Sequence, residues 1–371
     1  EMSGKVNRIV NCQTANLNKT LNASVEQIDA IRKLQQSNKF NNLEDFINKI
    51  NENRTYYRQS SPKYGLKKLK SEINGGNRNI EIMELAINDK SERYAFFDIN
   101  IQGCKFDHDI NEYIVVDSIV EVVSYERADY VGIVILQSYG NAQRVIKKIF
   151  ADKEKWGEVN PDDQVNEDLL YWFFYRMREL PDKPILKEPL IYLNGIYSYL
   201  GRTEDKVNAT RGVGKRVTAL LGTLGMLLGE ESLRALRPII QYEKEELNIE
   251  LYIGNSGKVY ENTYSGALSI DIREMGVNDK AKLFILVCKY ILPGIISGYN
   301  KDKDKNEWSI KLKQFFLRGI GNEIREKVDG EIERIDSEIM QYEEIENDEI
   351  YDEDCEIAVV EQEIEEGIEE C

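Results

Sequence analysis

The stretch Arg54–Lys70 carries six cations (Arg54, Arg58, Lys63, Lys67, Lys68, Lys70), three tyrosines (Tyr56, Tyr57, Tyr64) and no acidic residue. Cations neutralise phosphates, and tyrosine rings offer faces on which bases stack. This pattern points to nucleic-acid contact; its plainer reading is a solvated connector whose tyrosines pack on the body. A second cluster, Arg202, Lys206, Arg211, Lys215 and Arg216, includes Arg211-Gly-Val-Gly-Lys215 ahead of an apolar run. If that run is a helix, its first N–H groups and the Arg211, Lys215 and Arg216 cations can share an anion. It is not a Walker A loop, because the spacing is wrong and no Ser or Thr follows Lys215.

Asp98, Asp117 and Glu121 are the acids best placed for phosphodiester chemistry with magnesium, which needs carboxylates converging on the ion. Asp117 and Glu121 share a strand face but lie about 13 Å apart along it, so a neighbouring strand carrying Asp98 has to complete any site. Asp98–Asp109 also imitates a calcium loop, with Gly103 at the turn, yet its flanks read as strands. His108 is the single histidine, which rules out a multi-histidine zinc site. The cysteines Cys12, Cys104, Cys288, Cys355 and Cys371 are scattered and form no C-x-x-C pair, a pattern that suits a reducing compartment.

Charge is divided unevenly. Residues Glu323–Cys371 hold 22 acidic groups against Arg325, Lys327 and Arg334, about -19, while the rest of the chain holds 46 basic and 44 acidic groups. The tail has three readings: a solubilising extension, a docking helix, or a nucleic-acid mimic that competes for the basic patches. Val328, Ile332, Ile335 and Ile339 step in the heptad rhythm of a coiled-coil seam.

The elements that position these groups follow from periodicity. Ser24-Val-Glu-Gln27 reads as a capping box opening a helix through Ile28, Ile31 and Leu34, followed by a helix from Leu43 through Phe46, Ile47 and Ile50. Strands are expected at Ile80–Ile87, Tyr94–Ile101, Tyr113–Ser124 and Tyr130–Leu136, with a hairpin loop over Gln102–Asn111. Ser138-Tyr-Gly-Asn141 is expected to break the strand, with a helix then running to about Trp156. Beyond Pro161 helices dominate: Leu169–Leu180, Val213–Leu228 and a short one before Pro238. A small antiparallel sheet is expected from Ile249–Ile253, Lys258–Tyr264 and Leu268–Ile272. The apolar runs Val217–Gly229 and Leu283–Ile296 are too short or too interrupted to span a membrane and read as core helices.

These expectations make an α+β protein of four regions: 1–77, helical with the basic-aromatic segment; 78–157, sheet-containing; 158–300, helix-rich with a small sheet; and 301–371, long helix and acidic tail. Its 42% hydrophobic content supports a buried core. The N-terminal stretch has no apolar run typical of a signal peptide, so a cytoplasmic location is expected, and enrichment in Asn, Lys and Ile suggests a bacterial or phage source. The leading functional reading is a non-enzymatic nucleic-acid-associated assembly protein without a cofactor, which docks or self-associates through its C-terminal helix. The alternatives are a magnesium-dependent nuclease and a pure protein-interaction scaffold.

Overall fold

The computed structural model describes residues 31–37, 39–40, 42–59, 68–76, 79–88, 90–128, 130–137, 139–161, 165–202, 209–214, 216–229, 232–253 and 256–366 of the 371-residue chain. The expected capping box at Ser24–Gln27 lies outside these residues. The chain divides into two compact units, one of residues 1–218 and 231–313, the other of 219–230 and 314–371.

The first unit is built on two antiparallel sheets. One contains β1 (Ile31–Ser37), β2 (Thr55–Gln59), β3 (Lys68–Ile73), β4 (Met83–Ile87), β5 (Lys90–Asp107), β6 (Glu112–Glu126), β7 (Val131–Leu136) and β8 (Val159–Pro161). Its order is β2-β3-β5-β6-β7-β1-β8, with β4 also paired to β5. Helix α1 (Leu43–Glu52) starts where the Asn42 side chain accepts from the Asp45 N–H at 2.8 Å, satisfying one of the open amides of the first turn. Leu43, Phe46, Ile47 and Ile50 recur at helical spacing, so one face is apolar, and all four are buried. They join Ala142, Val145 and Ile149 of α2 (Tyr139–Ile149), and Trp156 at the end of α3 (Lys153–Trp156), over Ile73, Phe97, Ile99, Val120, Val122, Ile133 and Ile135 of the sheet.

The second sheet has the order β11-β10-β12-β13-β14, with β9 beside β10. Its strands are β9 (Leu186–Lys187), β10 (Leu190–Arg202), β11 (Ala209–Val213), β12 (Ser232–Tyr242), β13 (Glu245–Tyr252) and β14 (Ser256–Ser265). Helix α4 (Glu167–Glu179) packs on β10 and β12, and its run Leu169–Phe174 is buried on every side, as an apolar circumference requires. A continuous helical stretch follows: α6 (Val277–Ile285), a π-helical segment Leu286–Ile291 and α7 (Leu292–Asp304). By length and composition Val277–Asp304 could cross a membrane, but most of it is buried in the fold. Gly298 matters here, because a Cβ would stand 2.9 Å from the Ile185 carbonyl oxygen. Among the described residues the second unit consists of α5 (Leu221–Leu228) and most of α8 (Ile310–Glu366).

The α+β class, the helix at Leu43, the buried helix at Leu169 and the long C-terminal helix are as expected, while several elements differ. Ile31 and Leu34 lie in a strand, because β1 is hydrogen-bonded between β7 and β8 and pairing on both edges overrides helical spacing. The expected loop Gln102–Asn111 is mostly ladder: pairing continues to Asp107 opposite Glu112, leaving a turn at His108–Asn111 with Asn111 at φ 53°. The helix to Trp156 is two helices broken at Ala151-Asp152.

Val213–Leu228 is not one helix. Gly212 lies in β11 against the Tyr199 ring, where a Cβ would sit 2.3 Å from a ring carbon, and Gly214 takes φ 134°. The short helix before Pro238 is β12 instead; Pro238 sits opposite Ile196 beside a register irregularity, where a missing N–H is tolerated. Leu268–Ile272 leaves the ladder: the Glu245 carboxylate accepts from the Ala267 N–H at 3.1 Å, and Ser269 adopts φ 51°.

Candidate nucleic-acid interface

The basic-aromatic segment folds into the hairpin β2–β3 at one edge of the larger sheet, with Tyr57 opposite Lys70, Arg58 opposite Leu69 and Gln59 opposite Lys68. Strand alternation therefore deals its residues onto two faces. Tyr57 points outward and is 60% exposed, and the Lys68 ammonium stands 4.1 Å from its ring centroid. Tyr56 faces the opposite way and packs against the core. Burial, helped by the Asp152 charge, pushes its phenol well above the usual tyrosine range. Lys155 covers the Tyr56 ring at 4.9 Å.

Not every expected cation is available to a ligand. Arg54 donates to the Asn51 carbonyl at 2.9 Å and to the Asn79 side chain, which joins the end of α1 to the strand entrance. Lys70 is paired with Glu72 at 2.5 Å, and that hydrogen bond holds its ammonium above the usual lysine range. Lys63, Tyr64 and Lys67 lie outside the described residues. Tyr57 and Lys68 thus form the exposed core of the patch on the outward face, while Arg58, also exposed, lies on the opposite face with Tyr56.

The second basic cluster does not sit at a helix start. Arg211 lies in β11, Arg216 follows in a turn, and Lys215 lies outside the described residues. Next to it is a cation that spacing along the chain does not reveal. The Arg237 guanidinium lies 3.3 Å from the Tyr260 ring centroid and 4.4 Å from that of Tyr197. Tyr260 donates to Glu250 at 2.8 Å, and Lys258 stands 3.8 Å from the same carboxylate. Arg237 is thus held in an internal network, where desolvation lowers its pKa.

The register places Asp98 opposite Glu121, as a carboxylate pair on neighbouring strands would require, and Asp117 opposite Gln102 further along. Glu121 is taken by Lys280, whose ammonium donates at 2.8 and 2.9 Å. Among the described residues no group of three or more His, Cys, Asp or Glu side chains converges on a metal position. His108 sits in the turn at the tip of β5–β6, edge-on to Phe106 at 4.9 Å. Val328, Ile332, Ile335 and Ile339 are all exposed on α8.

Residues 6–83 match the family model of the WhiA C-terminal HTH domain. The chain is 44% identical over 63 residues to a protein described as probable cell division protein WhiA from Clostridium beijerinckii, a stretch covering 17% of this chain and 20% of that protein. It is 38% identical over 76 residues to the counterpart from a Geobacillus species, covering 20% and 22%, and 60% identical over 37 residues to that of Listeria welshimeri, covering 10% and 12%. Identity rises as the aligned stretch shortens, so the likeness is concentrated in part of the match. The chain spans about a fifth or less of the length of these curated relatives. Among the described residues, the matched region contains β1, α1 and the β2–β3 hairpin, in which α1 leads into a strand and not into a second helix. Helix-turn-helix domains place a helix in the DNA major groove, so a nucleic-acid-associated role is consistent with the match.

Proposed function

We propose that this chain binds the backbone of nucleic acid, DNA being the first candidate, through the edge hairpin β2–β3, and that it associates with a second copy through α8. One observation carries the reading: Tyr57 stands exposed at a sheet edge under the Lys68 ammonium. A ring and a cation presented together suit a base and its phosphate. The likeness to an HTH domain supports the same ligand class. On this reading the protein works in the cytoplasm, needs no cofactor and uses α8 to raise its local valency on a strand.

The test is binding of labelled single- and double-stranded DNA and RNA by the full chain across a salt series, with strand integrity read on a gel. Affinity falling steeply with salt supports the reading. Absence of binding at low salt overturns it and favours the scaffold. Magnesium-dependent shortening of the strands would transfer the weight to Asp98 and Glu121, whose opposition is the one observation in favour of a nuclease.

A further inference from the structure

We propose that Arg58 of β2, together with Arg144 and Lys148 of α2, forms a seat for one phosphoryl group, which in the nucleic-acid reading belongs to a strand passing the hairpin. The seat rests on that reading for its natural ligand, but not for its chemistry.

Three features converge. The first is placement. Arg58 follows Tyr56 by two positions and shares its sheet face, the face that α2 covers. Lys148 is anchored where β3 and β5 diverge: its ammonium donates to the Gln102 carbonyl at 2.5 Å, and the Gln102 side chain accepts from the Lys70 N–H at 2.9 Å.

The second is space. A hollow of about 20 Å³ opens between α2 and the sheet, lined by Gly103, Val116, Ser118, Arg144 and Lys148 among others. That is room for one water-sized atom, such as a phosphoryl oxygen. Gly103 leaves it open, since even an added Cβ there would meet nothing within 4 Å. Among the described residues β7 pairs with β6 only from Glu121 onward, so the Glu112–Val120 stretch of β6 has no second strand beside it.

The third is electrostatics. Burial first, then the Arg58 and Arg144 charges, bring the Lys148 ammonium down to about 8, and the Cys104 thiol is the group acting in the opposite sense. Like charges gathered in this way raise the energy of the free chain, and an anion relieves it. A phosphoryl group fits better than a carboxylate, because guanidinium forks and an ammonium from different directions match its several oxygens.

The experiment follows the acylation of Lys148 in the full chain at pH 8 by peptide mass spectrometry, with the exposed Lys147 as internal reference. It is run alone, with inorganic pyrophosphate and with single-stranded DNA. Lys148 is expected to react faster than Lys147, and both ligands are expected to slow it severalfold with Lys147 less affected. In parallel, Lys148→Met is expected to bind DNA about 5- to 10-fold more weakly at low salt, with a salt slope smaller by about 0.7, and Lys148→Arg to recover most of it. Protection by pyrophosphate without any DNA binding keeps the seat and overturns the nucleic-acid reading. DNA binding with Lys148 unprotected and Lys148→Met unimpaired overturns the seat and leaves the hairpin. Protection by neither ligand also overturns the seat.

Discussion

Arg176 and Asp302 lie 126 residues apart in the chain and 2.9 Å apart in the fold, with side chains only 1% and 8% exposed. Trp172 donates its indole N–H to the same Asp302 oxygen at 2.9 Å, and Arg176 donates further to the carbonyls of Lys183 and Pro184 at 2.7 and 2.6 Å. One carboxylate thus joins α4 to α7 and holds the loop before β9. Removing one member of a buried pair strands the other charge, which costs more than the pair itself contributes. Asp302→Ala is therefore expected to lower stability by about 3–5 kcal/mol. The double change Arg176→Met with Asp302→Leu should cost less than Asp302→Ala alone. Urea titration with an unchanged slope checks both, since only the midpoint should move.

The two adjacent tyrosines of β2 should separate binding from stability. Tyr57→Ala removes an exposed ring and should leave the melting temperature nearly unchanged while weakening single-stranded DNA by about 1–3 kcal/mol, the worth of one stacked base. Tyr56→Ala removes a ring packed on the core. It should destabilise the chain, with any loss of binding following unfolding. Fluorescence anisotropy beside thermal melts distinguishes them, and equal binding losses at unchanged stability would contradict the face assignment.

What the sequence disclosed and what it withheld have physical causes. Period-2 alternation disclosed β5, β6 and β7, and the spacing of Phe46, Ile47 and Ile50 disclosed α1, because each faces a single core. The sequence offered Asp98 as a neighbour for either Asp117 or Glu121, and only the register shows that it stands opposite Glu121. The strand at Ile31 was hidden, since pairing with β7 and β8 depends on residues about 100 positions away. The strands β10–β12 were hidden by glycines and a proline that punctuate helices as readily as they ease bulges. Of the site, the Arg54–Lys70 composition was legible, but its division into two faces was not: Arg54 and Lys70 are held by Asn51, Asn79 and Glu72. Lys148 was illegible because its neighbours Arg58 and Gln102 come from other strands.

Lys148 also carries a stability signature. Its folded pKa of about 8 lies below the ordinary lysine value of 10.5, so between these values the unfolded chain binds more protons. Stability is then expected to rise with pH across that window, and the charged form is a liability below it. Lys148→Met should raise the melting temperature at pH 7, with the gain shrinking as pH rises through 8 to 10.5. A variant that is more stable yet binds phosphate less well is the trade-off expected of a functional residue. A melting temperature that is lower at every pH would show that the Gln102 hydrogen bond dominates instead.

The seam on α8 predicts a salt dependence opposite in sign to that of nucleic-acid binding. Val328, Ile332, Ile335 and Ile339 are between 39% and 51% exposed, at coiled-coil spacing on a segment carrying about -19 charges. Two such helices repel through their acids and attract through their aliphatics. Added salt screens the repulsion and leaves the apolar attraction in place. Sedimentation of the full chain is therefore expected to shift toward dimer as salt rises, whereas DNA affinity falls over the same range. Ile332→Lys with Ile339→Lys should hold the chain monomeric at every salt concentration while leaving binding through Tyr57 and Lys68 intact. A wild-type chain that stays monomeric throughout would exclude self-association through this seam, and α8 would then need a different partner.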